Sequence, residues 1–259
     1  MSRMQSDLPD PRAATRFVFS GCSYDRTSGI ASLAYRFDDG PEMVERITFP
    51  DAPWPEDADR QQAFQAALEI LHLVAGVSYY KAGLCQKFEF HNPAAAQAAG
   101  DFLQTLYVEG LAEFAWVNEL DIESRIRFPQ PQVANAAVAT QLDLPERALL
   151  ALGGGKDSLV GLELMRCAGV ECTPVFAGNS PLVDEAAAAA GLPLLRFGRR
   201  IAPELIELNK AGAWNGHVPV TAINSAICLC AAILYGYKYI VFSNERSADQ
   251  ATLVSPAGK

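Results

Sequence analysis

The 259-residue sequence has only three histidines, and its six cysteines stand apart at Cys22, Cys85, Cys167, Cys172, Cys228 and Cys230. No Cys/His set has the spacing of a zinc motif, so a linear metal-binding signature is excluded. Cys228 and Cys230 are close in sequence, but residues two apart on a helix do not face each other. The N-terminal "MSRMQSDLPDPRA" lacks the apolar core of a signal peptide, which predicts a cytoplasmic protein with reduced, buried thiols. An excess of cations is also missing. The net charge is −9, and without clustered Lys and Arg a broad nucleic-acid face is not expected. One long stretch lacks charge, the 19 residues of Val218–Gly236, "VPVTAINSAICLCAAILYG". Its length approaches a membrane span, but Thr221, Asn224 and Ser225 interrupt it and a strand-like "YKYIVFSNE" follows. It reads as a helix buried on a parallel sheet, not as a membrane segment.

Charge divides the chain. Residues 1–145 carry 11 basic and 20 acidic side chains, whereas 146–259 carry 10 of each. After a loose tail over 1–13, "TRFVFSGCSY", "IASLAYRF" and "MVERITF" alternate in polarity between turn-forming "DRTSG" and "DDGPE". They predict an antiparallel meander. Helical periodicity follows over "DADRQQAFQAALEILHLVAGVSYYKA", then a short strand "QKFEFHN" and a second helical region from Pro93. Residues 14–145 therefore read as an α+β domain, closed by the proline-bearing linker "RFPQPQVANAAVATQLDLP". Over 146–259 the rhythm changes to strands alternating with helices, which predicts an α/β domain with a doubly wound parallel sheet.

Within that second half, "ALLALGGGKDSLVGLELM" sets three glycines between a strand and a helix. Walker A fails because 157 is Asp and 150 is Leu, and the dinucleotide pattern fails because 158 is Ser. A short turn of backbone donors at a helix start remains, suited to an anion. Lys156 and Ser158 can donate to phosphate oxygens. Asp157 cannot bind an anion, and its natural partner is Mg²⁺. Other polar clusters are expected at the same sheet edge. "AGNS" (177–180) also reads as an ordinary turn. "FGRR" (197–200) is expected to follow the third strand, and its arginines also read as a solvated pair. "GAWNGHVP" (212–219) precedes a helix, and its His217 also reads as structural. "SNERSA" (243–248) follows the last strand and has little to offer folding.

Gly154, Gly155, Lys156, Asp157 and Ser158 match the loop of the ATP pyrophosphatase (PP-loop) superfamily, S-G-G-x-D-S, which "GGGKDS" resembles. Gly153 departs from the leading serine. The resemblance implies cleavage of ATP between its α and β phosphates and transfer of AMP to an acceptor. Together with "NGHVPVTAINSA" and "VFSNERSA", the chain is similar to the MurL family, the epimerases that convert the terminal L-Glu of UDP-MurNAc-L-Ala-L-Glu to D-Glu in peptidoglycan synthesis. The family implies ATP and Mg²⁺ as cofactors and the UDP-muropeptide as the small-molecule partner. In that reading Gly153, Gly154, Gly155, Lys156, Asp157 and Ser158 hold phosphates, Asp157 places the metal and Phe176 holds adenine. Lys156 also assists the chemistry, and Glu245 or His217 is the base. Asn215, Asn244, Arg246 and Arg199 face the substrate. Adenylation explains why such an epimerase uses ATP, since it neutralises a carboxylate whose α-proton is otherwise very weakly acidic. Members of the superfamily carry a fifth strand after the fourth. None is visible here: either the chain is C-terminally shortened or another segment fills that edge, and an edge left open predicts a homodimer or poor behaviour.

Overall fold

A computed structural model describes residues 8–130 and 141–244. Two compact units are present. The first runs to Asp143 and takes back Gly198–Tyr235; the second holds Leu144–Phe197 and resumes at Gly236.

In the first unit the predicted meander forms as β1 (Arg16–Asp25), β2 (Ile30–Phe37) and β3 (Met43–Thr48), paired antiparallel in order. Asp25 holds the first turn by accepting from Thr27 N at 2.9 Å and from Ser28 Oγ at 2.7 Å. β4 (Lys87–Phe90) adds to β1 in parallel. One face of this sheet is aromatic. Phe17, Phe19 and Tyr35 are fully or almost fully buried, and α1 (Ala58–Ala75) covers them. Asp57 starts α1 by accepting from the backbone N–H groups of Asp59 and Arg60, a side-chain cap. The short α2 (Val77–Tyr80) follows, and the second helical region resolves into α3 (Pro93–Ala98), α4 (Gly100–Gly110) and α5 (Ala112–Asn118).

The second unit begins with β5 (Arg147–Ala151), α6 (Lys156–Cys167), β6 (Glu171–Ala177), α7 (Pro181–Ala190) and β7 (Leu195–Arg200), and β8 (Tyr239–Val241) completes it. Its pairings are parallel, with β7 joining through Leu195–Phe197, in the order β7-β6-β5-β8; the last three residues of β7, Gly198–Arg200, belong to the first unit. Its third, second, first and fourth strands therefore lie side by side, and the direction of winding reverses beside β5. Leu150, Leu152, Leu162 and Val183 form its core.

Three expectations change. "FGRR" does not follow the third strand but continues it, because Gly198–Arg200 pairs with β3 in the first unit. A single division at residue 145 also fails, since α8 (Pro203–Ala211) and α9 (Val220–Tyr235) pack with the first unit. The apolar run of α9, expected against the parallel sheet, is covered by α1. Ile223, Ile227, Cys230 and Leu234 are buried there. Each buried Ile or Leu side chain contributes roughly 1.5–3 kcal/mol. Arg60 of α1 donates to the carbonyls of Ile233 at 2.6 Å and Leu234 at 2.8 Å, so a cation closes the C-terminus of α9. None of the described helices is long and apolar enough to cross a membrane.

Candidate functional site

The glycine turn leaves the carboxyl end of β5, where the strand order of the second unit reverses. Open α/β sheets bind ligands at that point. Gly154 has φ +76°, a left-handed conformation that glycine adopts without penalty. Gly155 stands at the N-cap of α6 and no side chain caps the helix, so its first-turn N–H groups have no side-chain acceptor. A side chain at Gly153 or Gly155 would meet nothing within 4 Å, which leaves the backbone open to an approaching group. Lys156 is exposed and Asp157 half-buried in the first turn. Ser158 is buried, and its hydroxyl donates to the Gly155 carbonyl at 2.9 Å. In this arrangement the hydroxyl tightens the turn, while the first-turn N–H groups and the exposed Lys156 face outward without a side-chain partner from a helix cap.

Because β5, β6 and β8 run parallel, the segments after them share this edge. Gly178, after β6, donates to the Phe197 carbonyl at 3.0 Å. Phe176 has the Arg196 guanidinium 5.7 Å from its ring centre, and Arg196 pairs with Asp184. Ser243 packs against α6, where a Cβ at Gly161 would stand 2.3 Å from its Oγ. Asn244 is exposed at the end of this segment. Glu245 and Arg246 lie outside the described residues.

The remaining expected residues stand in the first unit. Asn215 is exposed, and its Oδ1 accepts from the ammonium of Lys81 and from Gly216 N at 3.0 Å. Asn118 Nδ2 donates to the Asn215 carbonyl at 3.4 Å, and Trp214 N donates to the Ala82 carbonyl at 3.2 Å. The loop is thereby tied to the residues around Lys81. His217 lies 4.0 Å from Glu113, both exposed. Lys81 is the residue that the sequence does not disclose. It is 5% exposed, and burial lowers its pKa to about 8. Its place at the end of α2, in "SYYKA", carries no signal of a buried cation. Arg199 does not present itself as a substrate ligand. Its Nε bonds Glu45 Oε1 at 2.6 Å inside the fold, and its guanidinium also reaches Ser78 Oγ at 3.4 Å.

A cavity of about 190 Å³ in the first unit is lined by Pro11, Phe37, Met43, Glu204 and Leu208, among others, and contains none of the expected site residues.

The chain matches the family described as MurL N-terminal domain over residues 9–259. It is 45% identical over 250 residues to a UDP-N-acetyl-alpha-D-muramoyl-L-alanyl-L-glutamate epimerase of Xanthomonas oryzae pv. oryzae, covering 96% of this chain and 55% of that protein. Proteins of the same name from Salinispora tropica and a Micromonospora species are 37% and 39% identical, over 94% of this chain and 54% and 55% of theirs. The chain thus spans about half the length of the curated relatives it matches. No solved structure matches it significantly.

Proposed function

The chain belongs to the family of the MurL N-terminal domain, and from that premise we propose that it provides the nucleotide-activating part of an ATP-dependent epimerase acting on UDP-MurNAc-L-Ala-L-Glu. The observation that carries this reading is the uncapped, open glycine turn at the switch point of a parallel sheet. The residues present suit a magnesium-bound triphosphate. Gly153 and Gly155 admit close approach, the first-turn N–H groups and Lys156 attract the anion, and the Asp157 carboxylate is an oxygen ligand of the kind that Mg²⁺ takes. When bound, the ion would neutralise charge on the departing pyrophosphate.

In this mechanism the glycine turn and Lys156 hold the β and γ phosphates while a substrate carboxylate oxygen attacks the α phosphorus. The bond to the β-phosphate breaks and pyrophosphate leaves. With its negative charge masked as an acyl-adenylate, the glutamyl carbon gives up its α-proton to a side-chain base. A proton delivered to the opposite face inverts the centre, and hydrolysis of the anhydride releases AMP. Beside the expected bases, Lys81 is a further candidate for these proton transfers within the first unit, because burial lowers its pKa to about 8 and Asn215 ties it to the loop that carries His217. Asn215 holds the Lys81 ammonium by one bond and leaves its other N–H groups for a substrate carboxylate.

Incubation with ATP, Mg²⁺ and UDP-MurNAc-L-Ala-L-Glu tests the reading. AMP formed only with the muropeptide, together with D-Glu in the product, supports it. Since the chain spans about half the length of its relatives, a second reading is ATP binding without turnover, seen as nucleotide affinity with no AMP. AMP that depends on tRNA instead would overturn both. Lys81→Met separates the steps, and AMP release is expected to continue while D-Glu formation falls.

A further inference from the structure

We propose that Cys22, Glu69 and His72 form a binding site in the first unit for one divalent transition-metal ion of the zinc type. One donor atom from each residue lies within 4.8 Å of the other two, and all three residues are buried or half-buried. A thiolate, an imidazole and a carboxylate are the ligand types that zinc takes, with water completing a tetrahedron.

The backbone brings these groups together by a defined route. Glu69 and His72 are three apart on α1 and share a face. Cys22 reaches that face through a bulge in β1. Phe19 pairs with Tyr35, but the next pair is Gly21 with Ala34, so Ser20 is an extra residue. Cys22 then pairs with Leu33, which shares the face of Tyr35, and Cys22 turns toward α1. Tyr24, two residues on, follows the same face and meets Phe64 of α1 with ring centres 4.9 Å apart. Without the bulge, Cys22 would point to the opposite side of the sheet.

The Ala34 carbonyl fixes one tautomer of the imidazole. His72 Nε2 lies 2.9 Å from the Ala34 carbonyl, which only accepts, so that nitrogen carries the hydrogen. Nδ1 keeps the lone pair. Metal-bound histidines are oriented in this way, through the opposite N–H on a carbonyl. Binding of the ion displaces the Cys22 thiol proton to solvent, and its two positive charges offset the thiolate and the carboxylate.

Cobalt(II) is the probe, added to the 259-residue chain after chelation and dialysis. The expected result is one equivalent bound, with an intense near-ultraviolet sulfur-to-cobalt band. Cys22→Ser should abolish the band. Glu69→Gln should lower cobalt affinity at least ~10-fold, the loss that outer-shell changes already cause. Far-ultraviolet circular dichroism checks each fold. If Cys22→Ser fails to fold, the half-buried Glu69→Gln decides alone. Absence of the band at two equivalents of cobalt overturns the site. A band unchanged in folded Cys22→Ser, or an affinity unchanged in Glu69→Gln, does so too.

Discussion

Arg199 Nε lies 2.6 Å from Glu45 Oε1, and the Glu45 side chain has no solvent exposure while that of Arg199 has 14%. A charge held this far from water depends on its partner. Arg199→Ala strands the buried carboxylate and is expected to cost about 3–5 kcal/mol, whereas Arg199→Met with Glu45→Leu should fall near wild type. Urea unfolding of the three proteins measures both. If Arg199→Ala keeps wild-type stability and loses muropeptide affinity instead, the arginine is a substrate ligand after all.

Lys81 makes stability depend on pH in a definite direction. Its ordinary value of 10.5 holds in the unfolded chain, and burial lowers it to about 8 in the fold. Below pH 8 both states are protonated, and the buried charge destabilises the fold in full. Between 8 and 10.5 the unfolded chain binds the additional proton, so this contribution to stability rises with pH. Wild type should therefore gain on Lys81→Met across that window. Chemical denaturation at pH 7.5, 9 and 10.5 gives the difference, and a constant gap between the two proteins would mean that the ammonium is not desolvated.

The elements that were legible in the sequence are those governed by local chemistry. Period-two alternation between turn residues marked β1, β2 and β3, and a glycine turn between apolar runs marked β5 and α6. What stayed hidden depends on distant partners. The charges of "FGRR" read as a loop because nothing in the sequence says that Glu45 waits opposite Arg199. The run of α9 announces burial but not its cover, so the parallel sheet was expected where α1 stands. Lys81 meets Asn215 across 134 residues. Cys22 faces α1 only because one extra residue shifts the parity of β1, and a bulge has no signal in alternation.

The glycine turn separates folding from binding. Alanine at 154 would hold a Cβ at φ +76° and 3.0 Å from Leu182 Cγ, so Gly154→Ala should destabilise by about 1–2 kcal/mol. Lys156 is exposed, and Lys156→Ala should change stability by less than about 0.5 kcal/mol. In the proposed role, Lys156→Ala nevertheless loses the rise in melting temperature that ATP with Mg²⁺ gives wild type. A ligand that binds only the folded state stabilises it by mass action. An undiminished rise in Lys156→Ala would remove the side chain from phosphate binding and leave the backbone donors as the whole of the site.

Packing of α9 on α1 predicts which residues unfold together. Ile227 and Leu68 are both fully buried, on α9 and α1. Truncation of either to alanine should cost about 2–5 kcal/mol. Since α9 belongs to the first unit despite its place in the sequence, Ile227→Ala should speed amide exchange in α1, from Leu68 to Val74, and leave α6 near its wild-type rate. Leu162→Ala, in the core of the second unit, should act on α6 and β5. Exchange read by mass spectrometry distinguishes the two patterns. Loss of protection in α6 on truncating Ile227 would show that α9 shares its stability with the parallel sheet, and the division at Phe197 would then not be a boundary of cooperative folding.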